Sequence, residues 1–245
     1  CNVCNEFDSV KTRTLNYFQT EKDFKNLIFQ ARQNKTSEYD CLLLYSGGKD
    51  SSYVLYKLVE MGLKVLAFTF DNGFISKAAF DNIKRQTSKL GVDCVIEKTD
   101  RMNEIFVESL NSDKTVCSGC FKSLTAISTR LAQEKGINVI ITGLSRGQIF
   151  DTKLAGLFAE KIFDSAQIEE KLLLFRKMFH LADDRTNQLL DVDLSDIEFE
   201  KIHFLDFFRY DNTPVSKIKE YLDYQDSYWK KPEDTGFCSS NCLMN

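Results

Sequence analysis

Proline is scarce in this 245-residue chain (two residues), glycine is modest (eleven) and no unit repeats. Collagen-like, low-complexity and solenoid architectures are thereby excluded. No long apolar run occurs: Val65–Phe68 and Val139–Ile141 are far too short to cross a bilayer, so no membrane partner is expected. The first residues are polar and cysteine-containing, unlike a secretory signal, and a cytoplasmic location is expected. No cluster of five or more Lys/Arg is present, and 32 basic against 36 acidic residues leave a net charge of −4. The electrostatic footprint of a nucleic-acid binder is missing, which makes tRNA the less favoured partner. The chain also begins with Cys instead of Met, so it is expected to derive from a longer polypeptide.

What is present is an ordinary globular apolar fraction, 43%, and eight cysteines. Six cysteines fall in close pairs, Cys1/Cys4, Cys117/Cys120 and Cys238/Cys242, while Cys41 and Cys94 lie in apolar runs and read as buried small hydrophobes. Without a secretory signal the pairs point to metal or redox chemistry more than to a disulfide scaffold.

From Tyr39 onward short β-rich runs alternate with helical periods. Cys41–Tyr45, Val65–Phe70, Val92–Ile96 and Asn138–Thr142 read as strands. Helices are expected after the first strand (Val54, Leu55, Leu58, Met61), over Ala79–Leu90, over Met102–Leu110 and over roughly Phe121–Lys135. Continuous Val/Ile/Leu strands separated by helices imply an α/β fold, a parallel doubly wound sheet covered on both faces. Residues 1–38 read as a cysteine-containing lead-in with one amphipathic helix, 39–160 as the core and 161–245 as a mostly helical extension. Within the extension Ile162–Leu190 reads as helical, Phe199–Phe208 as a strand, and Thr213-Pro214 as a helix start with Pro in its first position. His180 and His203 sit in apolar contexts and read as core residues, not catalysts.

Ligands in such sheets bind outside the carboxyl ends of the strands. That places weight on Ser46-Gly47-Gly48-Lys49-Asp50-Ser51-Ser52, between the first strand and its helix. The glycines permit close backbone approach, the helix N-terminus supplies N–H donors, three hydroxyls add donors and Lys49 adds charge. A pyrophosphate suits this nest. The loop is not a Walker sequence, because Leu43 and Asp50 stand where that motif needs Gly and Ser/Thr.

This string in this setting resembles the PP-loop ATP pyrophosphatase superfamily, whose fold is the HUP, or adenine nucleotide alpha hydrolase-like, sheet. Its members include tRNA thiolation enzymes, GMP and argininosuccinate synthetases and N-acetyl sugar amidotransferases. The resemblance spans residues 39–225 and implies ATP and Mg²⁺: cleavage between the α and β phosphates, adenylation of a substrate oxygen, and displacement of AMP by sulfur or nitrogen. It implies that Tyr45, Ser46, Gly47, Gly48, Lys49, Asp50, Ser51 and Ser52 hold the pyrophosphate and its Mg²⁺, with Lys49 and Asp50 catalytic. Phe70-Asp71-Asn72-Gly73 would flank adenine and ribose, and Gly143 would border the nucleotide. Many tRNA thiolases carry a His and paired acids after that last strand. Gly143-Leu144-Ser145-Arg146-Gly147-Gln148 departs from this pattern and leaves Arg146 as a candidate phosphate contact.

The string Cys1-Asn2-Val3-Cys4 ahead of Tyr39-Asp40-Cys41, together with Leu66–Gly73, is similar to the sugar amidotransferase branch, and the whole chain looks like PP-loop domains beside nonribosomal peptide synthetase modules. Thr115–Phe121 resembles instead the Cys-x-x-Cys of thiolation enzymes with an iron–sulfur cluster. In those a third cysteine follows the strand–helix unit matching Ile202–Leu222, a place that Cys238 or Cys242 occupies. Cys117, Cys120 and Cys242 are the favoured [4Fe–4S] ligands. Without a cluster, Cys117/Cys120 could carry a persulfide and a resolving thiol, with the helix that follows lowering their pKa. Cys1/Cys4 with Cys238/Cys242 also have the spacing of a tetrahedral structural Zn²⁺ and compete for the C-terminal cysteines; with Cys242 on the cluster, Cys1, Cys4 and Cys238 are left for zinc.

The reading reached is an ATP-dependent sulfurtransferase acting on a small-molecule or carrier-bound acceptor, with a sulfur donor protein. Two alternatives stay open: an amidotransferase supplied with ammonia by a separate protein, its cysteines structural, and a non-catalytic nucleotide-binding accessory domain. A homodimer and a larger single chain are both compatible with the sequence.

Overall fold

The computed structural model describes residues 11–33, 36–181, 185–229 and 242–243. Five parallel strands form one sheet in the order β3-β2-β1-β4-β5: β1 Cys41–Leu44, β2 Val65–Asp71, β3 Asp93–Lys98, β4 Val139–Thr142 and β5 His203–Asp206. Around them run α1 (Glu21–Gln33), α2 (Lys49–Glu60), α3 (Lys77–Leu90), α4 (Met102–Asp113) and α5 (Val116–Glu134). Beyond β4 come α6 (Arg146–Ile149), α7 (Ala155–Ala159), α8 (Ser165–Leu181), α9 (Arg185–Leu190), α10 (Phe207–Tyr210) and α11 (Val215–Gln225). The architecture is the doubly wound α/β fold, with the sheet taking its fifth strand from beyond residue 160.

Period-two alternation within the strands divides the core. Cys41, Leu43, Val65, Ala67, Val139 and Ile141 face one layer with α2, while Leu42, Leu66, Phe68 and Ile140 face another with α4 and α5. Helix ends follow local chemistry. Ser76 accepts from Ala79 N at the start of α3, and Gly91, at φ 63°, ends it in the left-handed region. Among the described residues no helix is long and apolar enough to cross a membrane.

Several boundaries differ from expectation. Phe199–Phe208 is not one strand: a 3₁₀ turn over Phe199–Lys201 precedes β5, and α10 follows it at once. β5 is only as long as its partner β4, and Phe207 and Phe208 already belong to the helical turn that follows it. Pro214 caps α11 from outside the helix. α5 starts at Val116, because the Thr115 hydroxyl accepts from Cys117 N and closes the helix earlier. Cys117 and Cys120 therefore lie within its first turns, not ahead of it. Cys41 is fully buried, but Cys94 is only partly so, since β3 is an edge strand. His180 is buried and stacks on Phe199, whereas His203 is exposed at the amino end of β5 and is no core residue.

Candidate active site

The strand order reverses between β1 and β4, which opens a crevice at their carboxyl ends. The loop from Ser46 to Ser52 lies there. Gly47 adopts φ 68°, and a Cβ on it would come 2.4 Å from the Ala79 carbonyl oxygen, so this turn accepts only glycine. Gly48 caps α2 without a side chain, and the first-turn N–H groups have no intrahelical acceptors. Ser46 Oγ and Ser51 Oγ lie 3.0 Å apart, Gly48 N donates to Ser46 Oγ at 3.4 Å, and Lys49 pairs with Asp50. The result is a compact patch of amides and hydroxyls beside one ammonium, suited to a polyanion.

Two strand ends frame the loop. Gly143 packs so closely that a Cβ would lie 3.1 Å from Ser51 N and Cα. Next to it, Thr142 Oγ1 donates to Asp206 Oδ1 at 2.7 Å and Lys153 Nζ to Asp206 Oδ2 at 2.6 Å, a pair set at the ends of β4 and β5. Lys153 is carried by a π-helical turn over Phe150–Leu154, a wide turn that often marks functional sites. Arg146 gives its Nε to Phe208 O at 3.0 Å and stacks on Phe18, and burial lowers its pKa. Tyr45 and Phe70 are buried. Tyr45 supports the loop from behind, its carbonyl accepting from Thr69 Oγ1 at 2.6 Å, and burial pushes its phenol pKa up.

At the end of β2, Asp71 Oδ1 accepts from Gly73 N and Asn72 Oδ1 from Phe74 N, both at 2.9 Å. This tight turn borders a cleft of about 370 Å³, lined also by Lys98, Asp100 and Asn103. The buried Asn72 amide faces sulfur: Nδ2 lies 3.3 Å from Cys120 Sγ and 3.8 Å from Cys242 Sγ. Cys242 is held by an antiparallel bridge to Ile75, while Leu243 N donates to Phe74 O at 2.9 Å. Cys117 is exposed one turn before Cys120 on α5. Cys120 and Cys242 thus face one amide at the carboxyl edge of the sheet, with Cys117 a turn away on α5, and together they form a thiol wall.

Burial pushes the Cys120 thiol up to about 11; the Asn72 hydrogen bond opposes this, and neighbouring Cys242 and Cys117 add to it. A helix start does not make Cys120 a ready thiolate here, because desolvation dominates. Among the described residues no three His, Cys, Asp or Glu side chains already form a metal-holding group. The thiol wall still fits a soft metal or cluster by donor type, and its amide N–H suits sulfur ligands. Cys1, Cys4 and Cys238, assigned above to zinc, lie outside the described residues.

Sequence reasoning missed three features. Asn72 was grouped with the nucleotide loop, not the thiols. Asp206 and Lys153 stayed hidden because β5 was drawn too long and the π-turn has no periodic signature.

A family profile described as "Queuosine biosynthesis protein QueC" matches residues 40–150. A tRNA-cytidine(32) 2-sulfurtransferase of Ruegeria pomeroyi is 26% identical over 191 residues, covering 73% of this chain and 63% of that protein. A 7-cyano-7-deazaguanine synthase of Leptospira interrogans is 30% identical over 98 residues, covering 40% of this chain and 39% of that protein. The matches thus span 63% and 39% of these two curated relatives, in both cases less than two thirds. Among solved structures, the U34-tRNA thiolase NcsA of Methanococcus maripaludis, determined with its [4Fe–4S] cluster, superposes with a TM-score of 0.52 at 15% identity. That superposition covers 89% of this chain and 67% of NcsA and establishes a shared fold. With the glycine-serine loop at the sheet's switch point, these sequence matches support the PP-loop ATP pyrophosphatase superfamily, the profile itself being matched over residues 40–150.

Proposed function

We propose that the protein is an ATP-dependent sulfurtransferase that adenylates an acceptor oxygen and replaces it with sulfur. The observation that carries this reading is the contact of Asn72 with both Cys120 and Cys242 at the strand ends that also present the Ser46–Ser52 loop. In this reading Ser46, Gly48, Lys49, Ser51, Ser52 and the first amides of α2 hold the β and γ phosphates, and Asp50 meets the Mg²⁺ that accompanies ATP. Asp71 and Gly143 border the nucleoside. The acceptor oxygen attacks the α phosphorus, the bond to the β-phosphate oxygen breaks, and pyrophosphate leaves. The loop amides and Lys49 stabilise the charge that gathers on it. Sulfur held at the thiol wall then attacks the activated carbon and AMP departs.

The residues fit two ways of holding that sulfur. Cys117 and Cys120 can carry and release a terminal sulfur delivered by a donor protein. Cys117, Cys120 and Cys242 can instead hold three irons of a [4Fe–4S] cluster, whose fourth iron would offer a sulfide-binding position. The acidic balance favours a small-molecule or carrier-bound acceptor; the tRNA enzymes among the relatives make tRNA the comparison arm.

The test is turnover with Mg·ATP, a persulfide or sulfide donor, and panels of small acids, amides, carrier-bound acyl groups and tRNA, followed by mass spectrometry of the acceptor. Replacement of one oxygen by sulfur is expected. The Cys117→Ala variant should lose sulfur incorporation while still binding ATP. Ammonia-dependent products with Cys117→Ala fully active would replace this reading by amide formation.

A further inference from the structure

Behind the nucleotide loop, two separate chains of hydrogen bonds run to the same carboxylate. In the first, Gly47 O accepts from Asn82 Nδ2 at 3.1 Å, and Asn82 Oδ1 accepts from Arg85 Nη2 at 2.8 Å. Arg85 then grips Asp226 through Nη2 at 2.8 Å and Nε at 3.0 Å. In the second, Tyr45 Oη donates to Gln86 Oε1 at 2.6 Å, and Gln86 Nε2 donates to Asp226 Oδ2 at 3.2 Å. One arm ends inside the loop and the other on the residue that leads into it. Tyr45, Asn82, Gln86 and Asp226 are all buried.

We propose that Asp226 is a positioning residue that holds the Ser46–Ser52 loop in its anion-binding shape through Arg85, Gln86 and Asn82. A carboxylate suits the post because it only accepts, and here it takes donors from Arg85, Gln86 and, at 3.1 Å, Tyr228 N. Burial alone would raise its pKa, but the Arg85 and Gln86 hydrogen bonds more than offset this and leave it below the ordinary range. Its own backbone is fixed at the end of α11 by a bond from Asp226 N to Leu222 O at 2.7 Å. The left-handed Gly47 is pressed against α3 at Ala79, the helix that carries Asn82, Arg85 and Gln86. The tethers therefore set how the first amides of α2 stand before any ligand arrives. Preorganised donors bind more tightly because no ordering cost remains.

The idea rests on the nucleotide reading above only in what the loop binds; the tethering itself can be read without nucleotide. Hydrogen exchange on peptides spanning 45–52 is measured in the nucleotide-free protein, and the Kd for Mg·ATP by calorimetry, for the unaltered chain, Asp226→Ala and Asp226→Glu. A core variant, Ile197→Ala, serves as a stability-matched control from the opposite face of the sheet. Asp226→Ala should speed loop exchange and weaken Mg·ATP binding, each about tenfold or more, since it removes charge-assisted bonds from both arms. Exchange in β4 should not change, Asp226→Glu should restore part of both effects, and Ile197→Ala should show neither. Loop exchange in Asp226→Ala no faster than in Ile197→Ala overturns the proposal. If the unaltered chain binds no Mg·ATP, the nucleotide reading fails, and loop exchange still decides the role of Asp226. Should Asp226→Ala not fold, Asn82→Ala reads one arm alone: faster exchange at Gly47 and Gly48 supports the tether, and unchanged exchange refutes it.

Discussion

The Asn72 side-chain amide donates to Cys120 Sγ across 3.3 Å, joining the turn after β2 to the first turns of α5. That one contact links the strand end beside the Ser46–Ser52 loop to the thiol wall. Replacing Asn72 with Leu should leave Mg·ATP affinity nearly unchanged and slow sulfur transfer roughly 10- to 100-fold, the usual loss when a hydrogen-bond partner of metal-ligating side chains is removed. Calorimetry with Mg·ATP and mass spectrometry of the thiolated acceptor separate the two effects.

Gly47→Ala should abolish measurable Mg·ATP binding. The new Cβ would meet the Ala79 carbonyl, and the left-handed backbone adds strain of about 1–3 kcal/mol. Urea unfolding should show a loss of that order, while Gly62→Ala, also left-handed but with open space around it, should lose stability without affecting binding.

The Lys153–Asp206 pair is nearly enclosed, with side chains 16% and 4% exposed. Lys153→Met strands a buried carboxylate and should cost about 3–5 kcal/mol, read as a lower urea midpoint at unchanged slope. Adding Asp206→Leu to Lys153→Met should recover part of that loss, because the uncompensated charge is gone. A double variant as unstable as Lys153→Met alone would refute this explanation.

His180 makes stability depend on pH. Burial, aided by the charges of Lys122 and Arg176, lowers its pKa from about 6.5 to about 4. Between those values the unfolded chain binds a proton that the folded chain refuses, so this contribution is fully present above about 6.5 and is lost as pH falls toward 4. The loss is on the order of 3 kcal/mol. His180→Phe should flatten the fall in melting temperature over that range, as thermal unfolding from pH 7 to 4 would show.

Sheet and loop were legible because their signals are local. Strand runs such as Val65–Phe70 and glycine stops such as Gly91 announce themselves within a few residues, and Ser46–Ser52 is contiguous. β5 was blurred by Phe207 and Phe208, which continue the apolar run after the strand has ended and serve the aromatic packing around Tyr53 instead. The contacts of Asn72 with Cys242 and of Arg85 with Asp226 span separations of 170 and 141 residues, and no spacing rule reaches that far. The Cys120 thiol was misjudged for the same reason: a helix start is visible in sequence, whereas the burial that outweighs it is not.

The central claim is cleavage of ATP between its α and β phosphates at the Ser46–Ser52 loop. Its most direct test is identification of the phosphorus products by ³¹P NMR when the protein turns over Mg·ATP with a sulfur donor and acceptor. Equal amounts of AMP and pyrophosphate are predicted, both lost in Gly47→Ala; ADP and inorganic phosphate would contradict the account.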